Sequence, residues 1–322
     1  MKIIYTNLIT SVTSSATQLS SDYAIAKVEN NYPKQPYISD AATATITVTC
    51  PGAEAIFFSY LAESVTVTFK DSGASTLSTE TYSNTYTLTE QYLLNEKTHW
   101  NDSVFVACPS NTNTVEIALT NSTDVKGTLN GWVTASSGQL GRLQASAANI
   151  YLEDYPQIKL GTFVSDGAFT EQINRITGDG TGTEDLQLTG NGGANFTVSS
   201  MKLPLIVNTI RAGKVLETFN PNVGMSISRD SFGIRQERDS GLVYRLGEIR
   251  RRFSGSVQVL ESERDTATKV FAGLRMQPVA AEILGYQTNT AVFGSFFEPA
   301  SIAYSYPGSQ LYDYNFEFVE LI

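Results

Sequence analysis

One histidine in 322 residues, His99, is too few for a multi-histidine metal centre. A Ser-His-Asp triad would have to recruit that same residue. Its surroundings, Lys97-Thr98-His99-Trp100-Asn101, hold no nucleophile elbow, and the rest of the chain has none. Cysteine is nearly as scarce. Cys50 and Cys108 each precede a proline, fall in separate candidate strands and lack a local nucleophile signature. They read either as buried free thiols or as a disulfide across a sandwich. No apolar stretch approaches the ~20 residues of a transmembrane helix, so membrane insertion is not expected. After Met1-Lys2-Ile3-Ile4, the polar Thr6, Asn7, Thr10 and Ser11 break the run that a secretory signal requires. Synthesis in a reducing cytoplasm is therefore expected. No repeat of fixed period occurs, which argues against solenoids and propellers.

Charge is thin as well. Charged residues make up 17% of the chain, against ~25% in ordinary globular domains. The 22 basic and 32 acidic residues leave a formal net charge of −10. Residues 1–150 hold 7 of the basic and 12 of the acidic side chains, so each half carries −5 and neither is a charged tail. Nucleic-acid binding draws most of its affinity from Lys and Arg on phosphates, so an acidic chain is not expected to have that partner. The same argument weighs against an anionic membrane surface.

Thr, Ser, Asn and Gly fill the gap, together with 16 Tyr and 16 Phe. β-Branched and aromatic side chains suit a pleated, half-buried surface. Thr43–Thr49 alternates Ala44, Ile46 and Val48 with threonine, and Ser64–Phe69 alternates Val65, Val67 and Phe69. Further strands are predicted at Ala55–Tyr60, Thr81–Thr89, Ser103–Ala107, Thr114–Thr120 and Gly127–Ala135. Turn residues punctuate them at Cys50-Pro51-Gly52, Asp71-Ser72-Gly73, Pro109-Ser110-Asn111 and Leu129-Asn130-Gly131. The expected fold is all-β and mainly antiparallel. Residues 1–140 form a sandwich or jelly roll. Residues 141–322 form a second β-rich assembly domain with one packed helix. In that helix, 262–276, Ala267, Val270, Phe271 and Leu274 share a face, Ser262 and Asp265 cap the start, and Pro278 forces the end. Residues 178–193 hold six glycines and read as a loop with an exposed tip.

Candidate chemistry is sparse. The loop sequence Gly178-Asp-Gly-Thr-Gly-Thr-Glu-Asp fits neither G-x-G-x-x-G nor a P-loop. Asp179, Glu184 and Asp185 offer oxygens to calcium, but not at EF-hand spacing, and a plain hairpin loop is the favoured reading. Paired acids such as Glu153 with Asp154, or Glu184 with Asp185, are the raw material of a glycosidase, yet solvated surface explains them as well. No catalytic residue, metal site or cofactor is expected. The one positive feature is an island at Arg229–Arg252, with seven arginines and four acids. Arg245, Arg250, Arg251 and Arg252 are candidate interface residues, pairing with acids of a neighbouring subunit. A ladder of cross-strand charge pairs is the alternative. Trp100 and Trp132 are candidate carbohydrate-stacking residues, against the alternative of core or interface anchors.

The order of features in the second half carries a resemblance. It runs Arg-Asp-Ser-Phe-Gly at 229–233, Asp-Ser-Gly-Leu at 239–242, an arginine-rich strand at 245–252 and the helix. Pro-Val-Ala-Ala-Glu-Ile at 278–283 follows, then the terminal Tyr-Asp-Tyr-Asn-Phe-Glu-Phe-Val-Glu. Residues 40–322 resemble virion structural proteins of tailed bacteriophages, of the tail-tip or baseplate kind found beside the distal tail protein. The strands at Ile46/Val48 and Ser64–Phe69 resemble the galactose-binding-type sandwich such proteins carry. The resemblance implies a non-enzymatic subunit, made in the host cytoplasm and placed in the virion tail. Its implied partners are other tail proteins, copies of itself and, for the sandwich, a host surface glycan.

Overall fold

The computed structural model describes residues 1–30, 35–83, 102–121, 134–135, 142–144, 160–165, 167, 170–178, 184–188, 196–197, 199–202, 204–219, 221, 225–231, 234–237, 243–246, 249–273, 277–284, 291–296, 301–304 and 311–321. All strand pairs within them are antiparallel, as the all-β reading requires. A five-stranded sheet runs in the order Ser11–Ser14, Thr43–Thr49, Thr114–Thr120, Ser64–Lys70, Thr76–Ser83. Its inner face carries Ile46, Val48, Val65, Val67, Phe69, Val115, Ile117 and Leu119, all buried. Burying a Val, Leu, Ile or Phe side chain contributes ~1.5–3 kcal/mol each, so the period of two decides which face turns inward. The outer face is left to threonine and to one ion pair, Lys70 to Glu116 at 2.6 Å. The predicted turn at Asp71 is closed by its own carboxylate, which accepts from the Gly73 and Ser75 amides at 2.8 and 2.9 Å.

A four-stranded sheet covers that face, in the order Tyr37–Ile38, Ile206–Gly213, Ala55–Leu61, Asp102–Ala107. Both central strands are buried on both faces, which is why Ala55–Leu61 reads as an apolar run and not as an alternation. Ile56, Phe58 and Tyr60 enter the sandwich core. Ala55 and Phe57 point the other way, onto Ile4, Ala280, Ala291 and Phe293 of a third layer, with Phe57 and Phe293 stacked at 6.4 Å.

That third layer is an eight-stranded sheet. Its main path is Val215–Glu217, Lys2–Ile4, Val279–Glu282, Ala291–Phe296, Leu311–Glu320, Ile249–Leu260, Ser226–Ser231, and Ser301–Tyr304 adds to Leu311–Glu320. Alternate residues of one strand serve two cores here. Ile4, Ala280 and Phe293 meet the sandwich, while Ile3, Ala281 and Val292 face the helix Arg264–Gly273. On that side Phe271 stacks on Tyr314 at 5.1 Å and meets Phe296 edge-on at 5.2 Å.

Three sequence-based expectations change. The boundary at 140/141 does not separate the sheets. Ile206–Gly213 pairs inside the sandwich and Lys2–Ile4 inside the C-terminal sheet, because strand partners are chosen by burial and not by nearness in sequence. The stretch 178–193 is not one loop. Glu184–Leu188 is a strand paired with Thr170–Gly178, and Gly178 faces Glu184. The helix spans Arg264–Gly273 where 262–276 was expected; a 3-10 turn, Glu261–Glu263, tightens its entry, and 274–276 lie outside the described residues. Of the strand expected at Gly127–Ala135, Thr134–Ala135 is described.

Candidate functional site

The described part of the arginine island lies in two antiparallel strand pairs. Ser226–Ser231 pairs with the first half of Ile249–Leu260, with Ser226 opposite Ser254 and Ser231 opposite Ile249. Three residues further on, Ile234 faces Leu246, so Ile234–Glu237 and Val243–Leu246 continue the same register. Ser226–Ser231 ends the order of the eight-stranded sheet as described, and Ile234–Glu237 with Val243–Leu246 forms a separate two-stranded ribbon. That ribbon pairs with no further strand among the described residues.

Successive residues of a strand alternate between faces. Arg251 therefore shares a face with Phe253, lies over its ring at 5.8 Å, and grips Glu320 of the adjacent strand through Nε at 2.8 Å and through a second guanidinium nitrogen. That fork is partly buried, with 16% and 12% of the two side chains exposed. Arg252 points to the opposite face and forms an ion pair with Glu317 at 3.0 Å, without hydrogen-bond alignment at that oxygen. Arg250 stands opposite Asp230 in the register. Arg251 and Arg252 are thus bound within the chain, and Arg250 has a partner in it as well. The cross-strand charge ladder accounts for this part of the island. Arg245 lies on the two-stranded ribbon, facing Arg235.

Trp100, Trp132, His99, Asp179, Glu153 and Asp154 lie outside the described residues. Among the described residues no group of three or more His, Cys, Asp or Glu is placed to hold a metal ion. A cleft of about 450 Å³ opens between the Gln18–Asp40 region and strand Thr170–Gly178, with Asp40, Glu171, Gln172 and Phe163 in its wall. Within it the Gln172 amide donates to the carbonyls of Ser39 at 2.8 Å and Gly161 at 3.1 Å, and Asp40 accepts from the Thr17 hydroxyl. These groups tie the Ser39–Asp40 corner to the strand beside it.

Both cysteines are free thiols. Burial pushes Cys50 up to about 11 and Cys108 up to about 12, the latter with a further push from Cys50. A thiol held so far above neutrality supplies almost no thiolate, and thiolate is the nucleophile.

No protein-family model matches the chain, and no curated protein does either. No helix among the described residues is long and apolar enough to cross a membrane.

Proposed function

We propose that the chain is a non-enzymatic structural subunit of a bacteriophage tail, at the tail tip or baseplate, that assembles through protein–protein contacts. The observation that carries this reading is the basic stretch 229–252 in an acidic molecule, which begins on the strand that ends the eight-stranded sheet as described. Residues 229–252 hold seven of the 22 basic residues and four of the 32 acids, so they carry +3 while the remainder carries −13. Opposed charge of that kind steers encounter and fixes the orientation of partners more than it adds affinity. Three stacked β layers that exchange strands, with thiols held protonated, suit a long-lived particle component, and they agree with the feature order that resembles tail-tip proteins.

A second reading, recognition of a host surface glycan, is favoured by the cleft. An aromatic ring beside two carboxylates and an amide is chemistry that suits a sugar's apolar face and hydroxyls.

Quantitative mass spectrometry of gradient-purified particles from the source culture tests the assignment. A fixed ratio of a few copies per particle, in a multiple of three or six, is the expected result. Absence from particles would overturn it, and binding to a glycan panel by the free chain would then favour the second reading.

A further inference from the structure

Cys50 and Cys108 end strands on the two facing sheets of the sandwich. Cys50 follows Thr43–Thr49 of the five-stranded sheet, and Cys108 follows Asp102–Ala107 of the four-stranded sheet. The proline after each cysteine favours an extended backbone there, so the period of two runs on through both. Ala44, Ile46, Val48 and Cys50 share the inward face of one strand, and Val104, Val106 and Cys108 that of the other; all belong to the sandwich core or pack against it. The turns that follow lie side by side. The Cys50 amide donates to the Asn113 carbonyl at 2.9 Å, the Gly52 amide to the Thr112 carbonyl at 3.3 Å, and the Cys108 amide to the Glu54 carbonyl at 2.8 Å. The Cys50 carbonyl accepts from the Ala53 amide at 3.1 Å, so Glu54, which faces Cys108, comes straight after the tight turn that Cys50 opens. The two thiols thus lie at one corner between the sheets, near enough that charge on Cys50 raises the pKa of Cys108. Cys50 is fully buried and Cys108 is partly open to solvent, so a dissolved reagent reaches one thiol while the other is sheltered from it.

We propose that Cys108 and Cys50 form a redox clasp: hydrogen peroxide oxidises Cys108, and Cys50 resolves the product to a disulfide that ties the two sheets together. The Cys108 sulfur takes one peroxide oxygen as the O–O bond breaks, giving a sulfenic acid and one water. The Cys50 sulfur then displaces the sulfenic hydroxyl, which leaves as a second water with the Cys50 proton. Two electrons pass from the thiols to one peroxide, and no other reactant is needed. Both thiols are protonated at neutral pH, so the reaction is slow, and the clasp stays open while the chain folds under reducing conditions. Once closed, the bridge between positions 50 and 108 restrains the unfolded chain far more than the folded one. The inference does not rest on the tail assignment.

Peroxide treatment of the full chain, purified with reductant and then freed of it, tests this. Thiols titrated in denaturant should fall from two to none, the intact mass should drop by two hydrogens, and a peptide map should join the Cys50 and Cys108 segments within one chain. The unfolding midpoint should rise, and dithiothreitol should return it to the reduced value. Cys50→Ala removes the resolving thiol, so Cys108 should end carrying added oxygen; Cys108→Ala should leave Cys50 a thiol over the same exposure. The wild-type mass and peptide map decide the matter even where a variant does not fold. Two thiols that persist for as long as a urea-unfolded chain takes to oxidise fully overturn the proposal. So does wild type that gains oxygen without losing hydrogens, a bridge formed between chains, or an internal bridge that fails to raise the midpoint.

Discussion

Arg211 shows how much a single side chain holds in this molecule. It is 6% exposed between the sandwich and the C-terminal sheet. Its guanidinium donates to the carbonyls of Glu29 at 2.9 Å, Ile210 at 2.8 Å and Asn30 at 3.0 Å, and sits 4.9 Å from the centre of the Phe293 ring. Burial pulls its pKa down to about 10, against the pull of Glu29, which leaves it a cation at neutral pH. The charge is tolerated because the fork spreads it over three carbonyls and an aromatic face. Arg211→Met fills the volume but leaves one buried and two part-buried bonds unmade, at ~1–3 kcal/mol for each carbonyl that water does not reach. The variant should lose about 3 kcal/mol in urea unfolding, and Arg211→Lys should recover less than half of that, since one ammonium cannot span three acceptors. A loss under ~1 kcal/mol would show that water reaches these carbonyls. Nothing in the sequence distinguishes Arg211 from the surface arginines, because its partners are backbone carbonyls some 180 residues away.

Among the elements, the helix Arg264–Gly273 depends on the strand Leu311–Glu320 more than on its own ends. The Tyr314 hydroxyl donates to the Arg264 carbonyl at 3.3 Å and shares a hydrogen bond with the Thr268 hydroxyl at 3.0 Å. Tyr312 donates to Glu261 at 3.3 Å, just before the helix. Ten residues make a helix too short to persist alone in water, so Phe271, set between Tyr314 and Phe296, is its anchor. Phe271→Ala should cost ~3–5 kcal/mol, with fast amide exchange confined first to the helix. Unchanged exchange there would mean that the anchor lies elsewhere. This element was legible, because Ala267, Val270 and Phe271 repeat at helical spacing. The strands Thr43–Thr49 and Thr114–Thr120 were legible to the residue, because each buries one face and shows the other. Lys2–Ile4 was not, since three residues bury both faces and carry no period at all. The two strand pairs were visible as an arginine island, but pairing one arginine with another depends on a register that only the folded ladder defines.

For the whole molecule, exchange of strands matters more than the count of layers. Lys2–Ile4 is wedged between Val215–Glu217 and Val279–Glu282. Ile206–Gly213 runs between Ala55–Leu61 and Tyr37–Ile38. The crossing is tight: a Cβ on Gly213 would lie 1.9 Å from the Thr6 carbonyl oxygen, so backbone passes where no side chain fits. Glu54, just before Ala55–Leu61, accepts from the Val215 amide at 2.8 Å and from Lys214 at 3.0 Å, stitching the sandwich to the edge strand of the other sheet. Burial alone would raise the Glu54 pKa, but these two bonds outweigh it and hold the carboxyl below its ordinary value. Neither half of the sequence therefore owns a complete core. A chain cut at 140/141 leaves residues 1–140 without the strand Ile206–Gly213, exposing Ile56, Phe58 and their partners along an open edge. It leaves residues 141–322 without Lys2–Ile4, opening the C-terminal sheet between two of its strands. Each fragment expressed alone should be insoluble or protease-labile. Co-expressed, the two should co-purify at equal stoichiometry, because the exchanged strands can still find their places. A soluble, protease-resistant 1–140 fragment would show that the sandwich closes without Ile206–Gly213. The exchange would then be an ornament on two independent domains and not the reason the molecule holds as one.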